Sequence, residues 1–138
     1  MSTTAPGHAS ADAFFLDTPD GPRFCMFHAP VGACRGALVY VHPFAEEMNR
    51  SRRMAALGAR ALAAQGIGVL LLDLHGCGDS ADDFGDATWD GWLRDIAAAR
   101  AWLEQRLGAG VLRGGHRFTR RARPRMRPGC RGWRRCWR

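Results

Sequence analysis

Gly36-Ala37-Leu38-Val39-Tyr40-Val41 and Ile67-Gly68-Val69-Leu70-Leu71-Leu72 are the two stretches of this chain that decide its fold. Each is a short apolar run without polar alternation, the pattern of a strand buried on both faces, as in a parallel sheet. Between them, Asn49 to Gln65 reads as a helix. Met54, Leu57, Ala61 and Leu62 recur at helical spacing and are expected to face the core, with Arg50, Arg53 and Arg60 largely elsewhere. Asn49 suits the N-cap and Gly66 the position after the last turn. Strand, helix, strand in this order is a βαβ unit, so the expected class is α/β.

Working outward, Ala13 to Leu16 and Arg23 to His28 are short strand candidates. They are separated by Asp17-Thr18-Pro19-Asp20-Gly21-Pro22, a dense turn signal, which predicts a hairpin. Residues 1–12 are small and polar and are expected to be a loose terminus. Pro30 to Arg35 reads as a loop. Thr88 to Leu107 is a second helix, capped by Thr88 and ended by Gly108 and Gly110. Trp89, Trp92, Leu93, Ile96, Leu103 and Leu107 form its apolar side. Val111 and Leu112 look like the start of a further strand that the following residues do not continue.

Charge divides the chain where the apolar pattern stops. Residues 1–112 hold nine Arg and thirteen Asp or Glu, a net of −4; residues 113–138 hold eleven Arg and no acid. The overall +7 is an average of two unlike regions. All twenty basic residues are Arg, a footprint of GC-rich coding DNA. The segment 113–138 has almost no aliphatic side chains, can bury little, and is expected to be disordered. If its Arg codons are CGN, the third reading frame across Gly132 to Arg138 spells Leu/Met/Val, Ala, a small residue, Leu/Met/Val, Leu, Ala, an apolar helix pattern. That predicts a frameshift near Leu112. The other reading is a basic tail with Phe118, Trp133 and Trp137 interleaved, which would bind nucleic acid or acidic lipid weakly, without sequence specificity and in a salt-dependent way.

The five cysteines, Cys25, Cys34, Cys77, Cys130 and Cys136, show neither a disulfide framework nor zinc spacing, so reduced thiols and a cytoplasmic setting are expected. The N-terminus lacks the basic and apolar regions of a secretory signal. No apolar run approaches the ~20 residues of a membrane span.

In open α/β sheets ligands bind beyond the carboxyl ends of the strands. Two loops lie there: His42-Pro43-Phe44-Ala45-Glu46-Glu47 and Asp73-Leu74-His75-Gly76-Cys77-Gly78-Asp79-Ser80. Together, VYVHPFAEEMNRSRRM (39–54) and LLLDLHGCGDSADDFGDATWDGWLRDI (70–96) resemble the α/β-hydrolases. More narrowly, they resemble the exosortase A system-associated hydrolases of the second type, over about residues 13–112. The resemblance implies a partial α/β-hydrolase fold, an N-terminal hairpin followed by the parallel βαβα part of the sheet. It implies intact relatives that are serine-type hydrolases of ester, thioester or amide bonds. Their substrate would be a small-molecule acyl compound, without a cofactor, and they would accompany exosortase and exopolysaccharide systems.

In such enzymes the nucleophile sits on a G-x-S-x-G elbow after the fifth strand. The serines here are Ser2, Ser10, Ser51 and Ser80, and none lies in that motif. Ser80 precedes the expected elbow by a full helix and reads as a loop-closing residue. The acid and histidine of a triad, expected later in the order Ser, Asp or Glu, His, are absent too. The chain therefore reads as the front part of a hydrolase, truncated before its nucleophile and inactive by itself. Only a backbone donor of the oxyanion hole is expected in it, the N–H of Phe44, although Pro43 stands where the family has Gly.

Other candidates read as structural. His42 and His75 each follow an apolar strand. Glu46 and Glu47 sit where a helix start favours acids. Asp79, Asp82, Asp83 and Asp86 lack calcium-loop spacing. Gly76-x-Gly78 is followed by an acidic loop rather than a helix, which disfavours a dinucleotide.

Overall fold

The computed structural model describes residues 10–43, 46–80 and 82–108, with the side chains of Glu46 and Glu47 left aside. Strands β1 (Ala11–Thr18) and β2 (Gly21–His28) form an antiparallel hairpin. Its turn is tighter than the Asp17–Pro22 cluster suggests. Only Pro19 and Asp20 lie outside the strands, Thr18 pairs with Gly21, and the Thr18 hydroxyl donates to the Gly21 carbonyl at 2.7 Å. Gly21 takes φ 106°, a conformation that costs a residue without Cβ little. β1 starts at Ala11, inside the stretch read as a loose terminus.

Next come β3 (Gly36–Val41), helix α1 (Glu46–Ala64), β4 (Ile67–Leu72), a single 3₁₀ turn at Phe84–Asp86, and helix α2 (Trp89–Leu107). The sheet is mixed, in the order β1-β2-β4-β3. β3 and β4 are parallel, from Gly36 opposite Ile67 to Val41 opposite Leu72. β2 joins β4 antiparallel, and only its last four residues, Cys25 to His28, pair across. Both apolar runs are thus strands of a parallel pair joined through a helix.

Side chains along β4 alternate between the sheet's two faces. Val69 and Leu71 pack with Ala59 of α1, whereas Leu70 and Leu72 pack with Cys25, Phe27, Val39, Trp92, Ala99 and Leu103 on the α2 side. Trp102 extends the second layer over the hairpin, stacked 4.6 Å from Phe14 and edge-on at 5.2 Å to Phe27. A strand covered by a helix on each face has no solvent side, which is why its sequence shows no alternation.

Both helices depart from their expected faces. α1 begins one turn before Asn49, so that residue lies inside the helix and does not cap it. The side of α1 against the sheet carries Met48, Ala59 and Ala63, with Leu62 half-buried. Met54 and Leu57 are 67 % and 46 % exposed. Small residues let α1 approach the sheet closely, and the larger apolar residues are left outside. In α2 the expected Thr88 cap is present, its hydroxyl accepting from the Gly91 amide at 3.1 Å, and Gly108 follows the last turn with φ 93°. Trp92 and Leu103 are buried as expected, Trp89, Ile96 and Leu107 are half-buried, and Leu93 is exposed. The buried face also takes in Gly91, Ala99 and, as its one charged member, Asp95.

Candidate functional site at the carboxyl ends of β3 and β4

β3 and β4 run in the same direction, so His42 and Asp73 emerge side by side at one edge of the sheet. Asp73 is the hub of that edge. Its side chain is 2 % exposed. Oδ2 accepts from Arg52 Nη2 at 2.5 Å and from the Asp79 amide at 3.1 Å. Arg52, on α1, also reaches Asp79 at 3.2 Å. Oδ1 of Asp73 faces His42 Nε2 at 3.9 Å, beyond hydrogen-bond range. His42 is buried, and its Nδ1 has no partner among the described residues. Burial holds its pKa below the ordinary histidine value; the Asp73 carboxylate opposes that shift and the Arg52 guanidinium reinforces it. The geometry provides an enclosed imidazole that faces the Asp73 carboxylate without a hydrogen bond to it.

The loop after β4 folds back on the hub. Gly76 and Gly78 take φ 68° and 59°, and a Cβ on Gly78 would collide with the Asp73 carboxylate and with Arg52. Ser80 has both capacities of its hydroxyl engaged. It donates to the Asp73 carbonyl at 2.6 Å and accepts from the Phe24 amide at 2.9 Å. Ser80 is therefore a fastener between the loop and β2, as its position in the sequence indicates.

His75 belongs to a second, buried cluster. Arg23, fully buried on β2, donates from Nε to Asp95 Oδ1 at 2.9 Å and from Nη2 to the Asp20 carbonyl at 2.9 Å. The same Nη2 lies 2.7 Å from His75 Nδ1. An arginine cannot accept, so Nδ1 is the acceptor and the His75 proton sits on Nε2. Asp95 Oδ2 accepts from the His75 amide at 2.9 Å, and the indole of Trp92 donates to the His75 carbonyl at 3.0 Å. The hairpin, the loop and α2 are thus bound through one ion pair. Sequence reasoning passed over it, although a lone Arg in an otherwise apolar strand and a lone Asp on the apolar side of a helix are its signal.

Between these parts lies a cavity of about 370 Å³ lined by Asp20, His75, Asp82, Asp86, Thr88, Gly91 and Arg94. Arg94 closes its rim through a 2.7 Å pair with Asp20. Of the acidic run, Asp79 pairs with Arg52, Asp83 caps the 3₁₀ turn by accepting from the Gly85 amide, and Asp82 holds a left-handed φ of 77° near Arg23 and His75. No group of three or more His, Cys, Asp or Glu among the described residues is arranged to hold a metal ion. Cys25, Cys34 and Cys77 are free thiols; burial pushes Cys25 up to about 12 and Cys77 up to about 11. No described helix is long and apolar enough to cross a membrane.

Phe44, the oxyanion candidate, lies outside the described residues, as do Val111, Leu112 and the whole of 113–138. What the structure brings together is the pair of strand ends and the fastened loop between them.

No family model matches the sequence, and no curated protein matches it. Solved structures do. An α/β serine hydrolase without a lid from Xanthomonas campestris is 26 % identical, with a TM-score of 0.57 over 69 % of this chain and 44 % of that one. An α/β serine hydrolase homologue from Coxiella burnetii is 22 % identical, with a TM-score of 0.57 over 70 % and 46 %. A carboxyl esterase from Bacillus coagulans is 19 % identical, with a TM-score of 0.55 over 70 % and 33 %. The chain spans less than half the length of each. Its strand order, its crossover helix and these neighbours together identify the described residues as a partial α/β-hydrolase fold.

Proposed function

We propose that residues 13–112 are the N-terminal part of a serine-type hydrolase domain for ester, thioester or amide bonds, and that the 138-residue chain by itself turns over no substrate. The carrying observation is the edge built by His42, Asp73 and the 74–80 loop, combined with four serines of which none lies in G-x-S-x-G. Hydrolysis by nucleophilic acyl transfer needs an activated hydroxyl, a base to take its proton and donors for the oxyanion. Ser80 is spent on two structural hydrogen bonds, and among the described residues no hydrogen bond joins His42 to a serine hydroxyl. The one catalytic part assigned to this chain is the backbone N–H of Phe44, as an oxyanion donor in an intact protein. The resemblance of residues 39–54 and 70–96 supports a small-molecule acyl substrate and an association with exosortase and exopolysaccharide systems, and the cysteine pattern supports a cytoplasmic setting.

The segment 113–138 is best accounted for as the shifted frame of the same gene, broken near Leu112. Sequencing the gene tests that directly: a stop codon in the shifted frame within a few codons of Leu112 would end the idea. For activity, a chromogenic acyl ester should give no rate above background with this chain and a serine-hydrolase rate once the frame is restored. Turnover by the present chain, or none after restoration, would overturn the proposal. The eleven arginines of 113–138 favour one second reading, a non-enzymatic polyanion-binding protein; under it, restoring the frame abolishes binding to heparin or nucleic acid and brings no esterase activity.

A further inference from the structure

The outward side of α1 carries two of the four exposed large apolar residues among the described residues, Met54 and Leu57. Arg50, Arg53, Met54, Leu57 and Arg60 are all exposed. At 100° per residue they share one strip, about 15 Å long from Arg50 to Arg60. Met54 and Leu57 sit one above the other on it, each with an arginine four residues before it. After Glu46 and Glu47, with which α1 opens, no acidic residue follows in the helix or up to Gln65. Among the described residues Arg50, Arg53 and Arg60 form no ion pair, whereas Arg52, turned toward the sheet edge, is held by Asp73 and Asp79.

We propose that this strip of α1 docks on an anionic lipid surface, with Met54 and Leu57 entering the boundary between headgroups and acyl chains and the three guanidiniums pairing with lipid phosphates. A helix with exposed aliphatic side chains among arginines that form no ion pair with the described residues has the composition of an interfacial element. Arginine suits the role twice, because its stem lies along apolar surface while its planar head binds phosphate. Charge excludes two other occupants. The segment 113–138 carries eleven arginines and no acid, the wrong sign to cover a basic strip. A second copy docked strip to strip would set arginine against arginine. Nucleic acid satisfies the guanidiniums and leaves Met54 and Leu57 unused.

Vesicle flotation of the full chain tests the assignment, comparing phosphatidylcholine alone with vesicles containing about one-third phosphatidylglycerol. Binding is expected to the anionic vesicles and to fall at least about tenfold in Met54→Gln/Leu57→Gln, and similarly in Arg50→Gln/Arg53→Gln/Arg60→Gln. All five positions are exposed, so the variants should keep the circular dichroism of the parent. Three results would overturn the proposal. One is absence of vesicle binding by the parent chain. Another is binding unchanged in Met54→Gln/Leu57→Gln, which would place it in 113–138. The third is self-association that disappears with that double variant, which would make a second copy the occupant.

Discussion

Replacing Arg23 by Met removes the positive partner of a carboxylate that has no access to water. Arg23 and Asp95 are both fully buried, 2.9 Å apart. After the substitution Asp95 keeps only the His75 amide, and His75 Nδ1 loses its donor. The Asp20 and Pro22 carbonyls, at the hairpin turn, can be rehydrated. Breaking a buried pair by deleting one member costs about 3–5 kcal/mol, against a total stability of about 5–15 kcal/mol for a domain. The double variant Arg23→Met/Asp95→Leu leaves no buried charge. Its deficit is the two hydrogen bonds to His75, about 1 kcal/mol each. The double variant should therefore be more stable than Arg23→Met alone, by about 1–3 kcal/mol. Urea unfolding followed by tryptophan fluorescence measures all members of the cycle, since Trp92 is hydrogen-bonded into the cluster and Trp102 packs on the hairpin. If Arg23→Met abolishes folding, recovery of a cooperative transition in the double variant carries the same information. An Arg23→Met protein within about 1 kcal/mol of the parent, or a double variant worse than both single ones, would refute the account of a dry, mutually dependent pair.

Other expectations follow from the sheet edge and the core. Gly78→Ala meets both a left-handed φ and the Asp73–Arg52 contact, and should cost about 2 kcal/mol or more in chemical denaturation; a loss under 0.5 kcal/mol would show that the loop can move away from the hub. Ser80→Ala strips the acceptor from the Phe24 amide and should cost about 1–3 kcal/mol in the same measurement, while Ser80→Thr should recover part of it. His28 is fully buried with neither ring nitrogen partnered among the described residues, and burial, reinforced by Arg60, lowers its pKa. The unfolded chain then binds the proton more readily, so stability is full above the ordinary histidine pKa of about 6.5 and is lost as pH falls below it toward the depressed folded value. Within that window the slope should reach about 1.4 kcal/mol per pH unit for this residue, and His28→Leu should flatten it; an unchanged slope would assign the acid sensitivity to other groups.

The βαβ unit was legible because burial on both faces writes itself as an unbroken apolar run, in β4 from Val69 to Leu72 above all. The second helix was legible through Thr88 and Gly108, whose local chemistry marks ends irrespective of packing. The faces of α1 were not. Met54 and Leu57 have helical spacing, but alanines, not large residues, occupy the close contact with the sheet, and residue size carries no sign of which side is covered. Of the edge residues, Ser80 as a fastener could be read from its position after β4. The Arg23–Asp95 pair could not be found by periodicity, because it joins residues 72 positions apart and each looks like an isolated exception to its own pattern.

The pairing of the strands has a mechanical consequence. β1 and β2 are zipped along their whole length and β3 matches β4 from end to end, but β2 meets β4 only from Cys25 to His28. The weak line of the molecule runs along that short seam. Beyond that seam and the burial of Cys25 and Phe27 against Leu70 and Leu72, the hairpin is tied down by side chains from outside the sheet: Trp102 over Phe14 and Phe27, Ser80 on Phe24, Asp95 on Arg23. Helix α2 and the acidic loop therefore brace the short seam from outside, and loosening either would take that support from the hairpin.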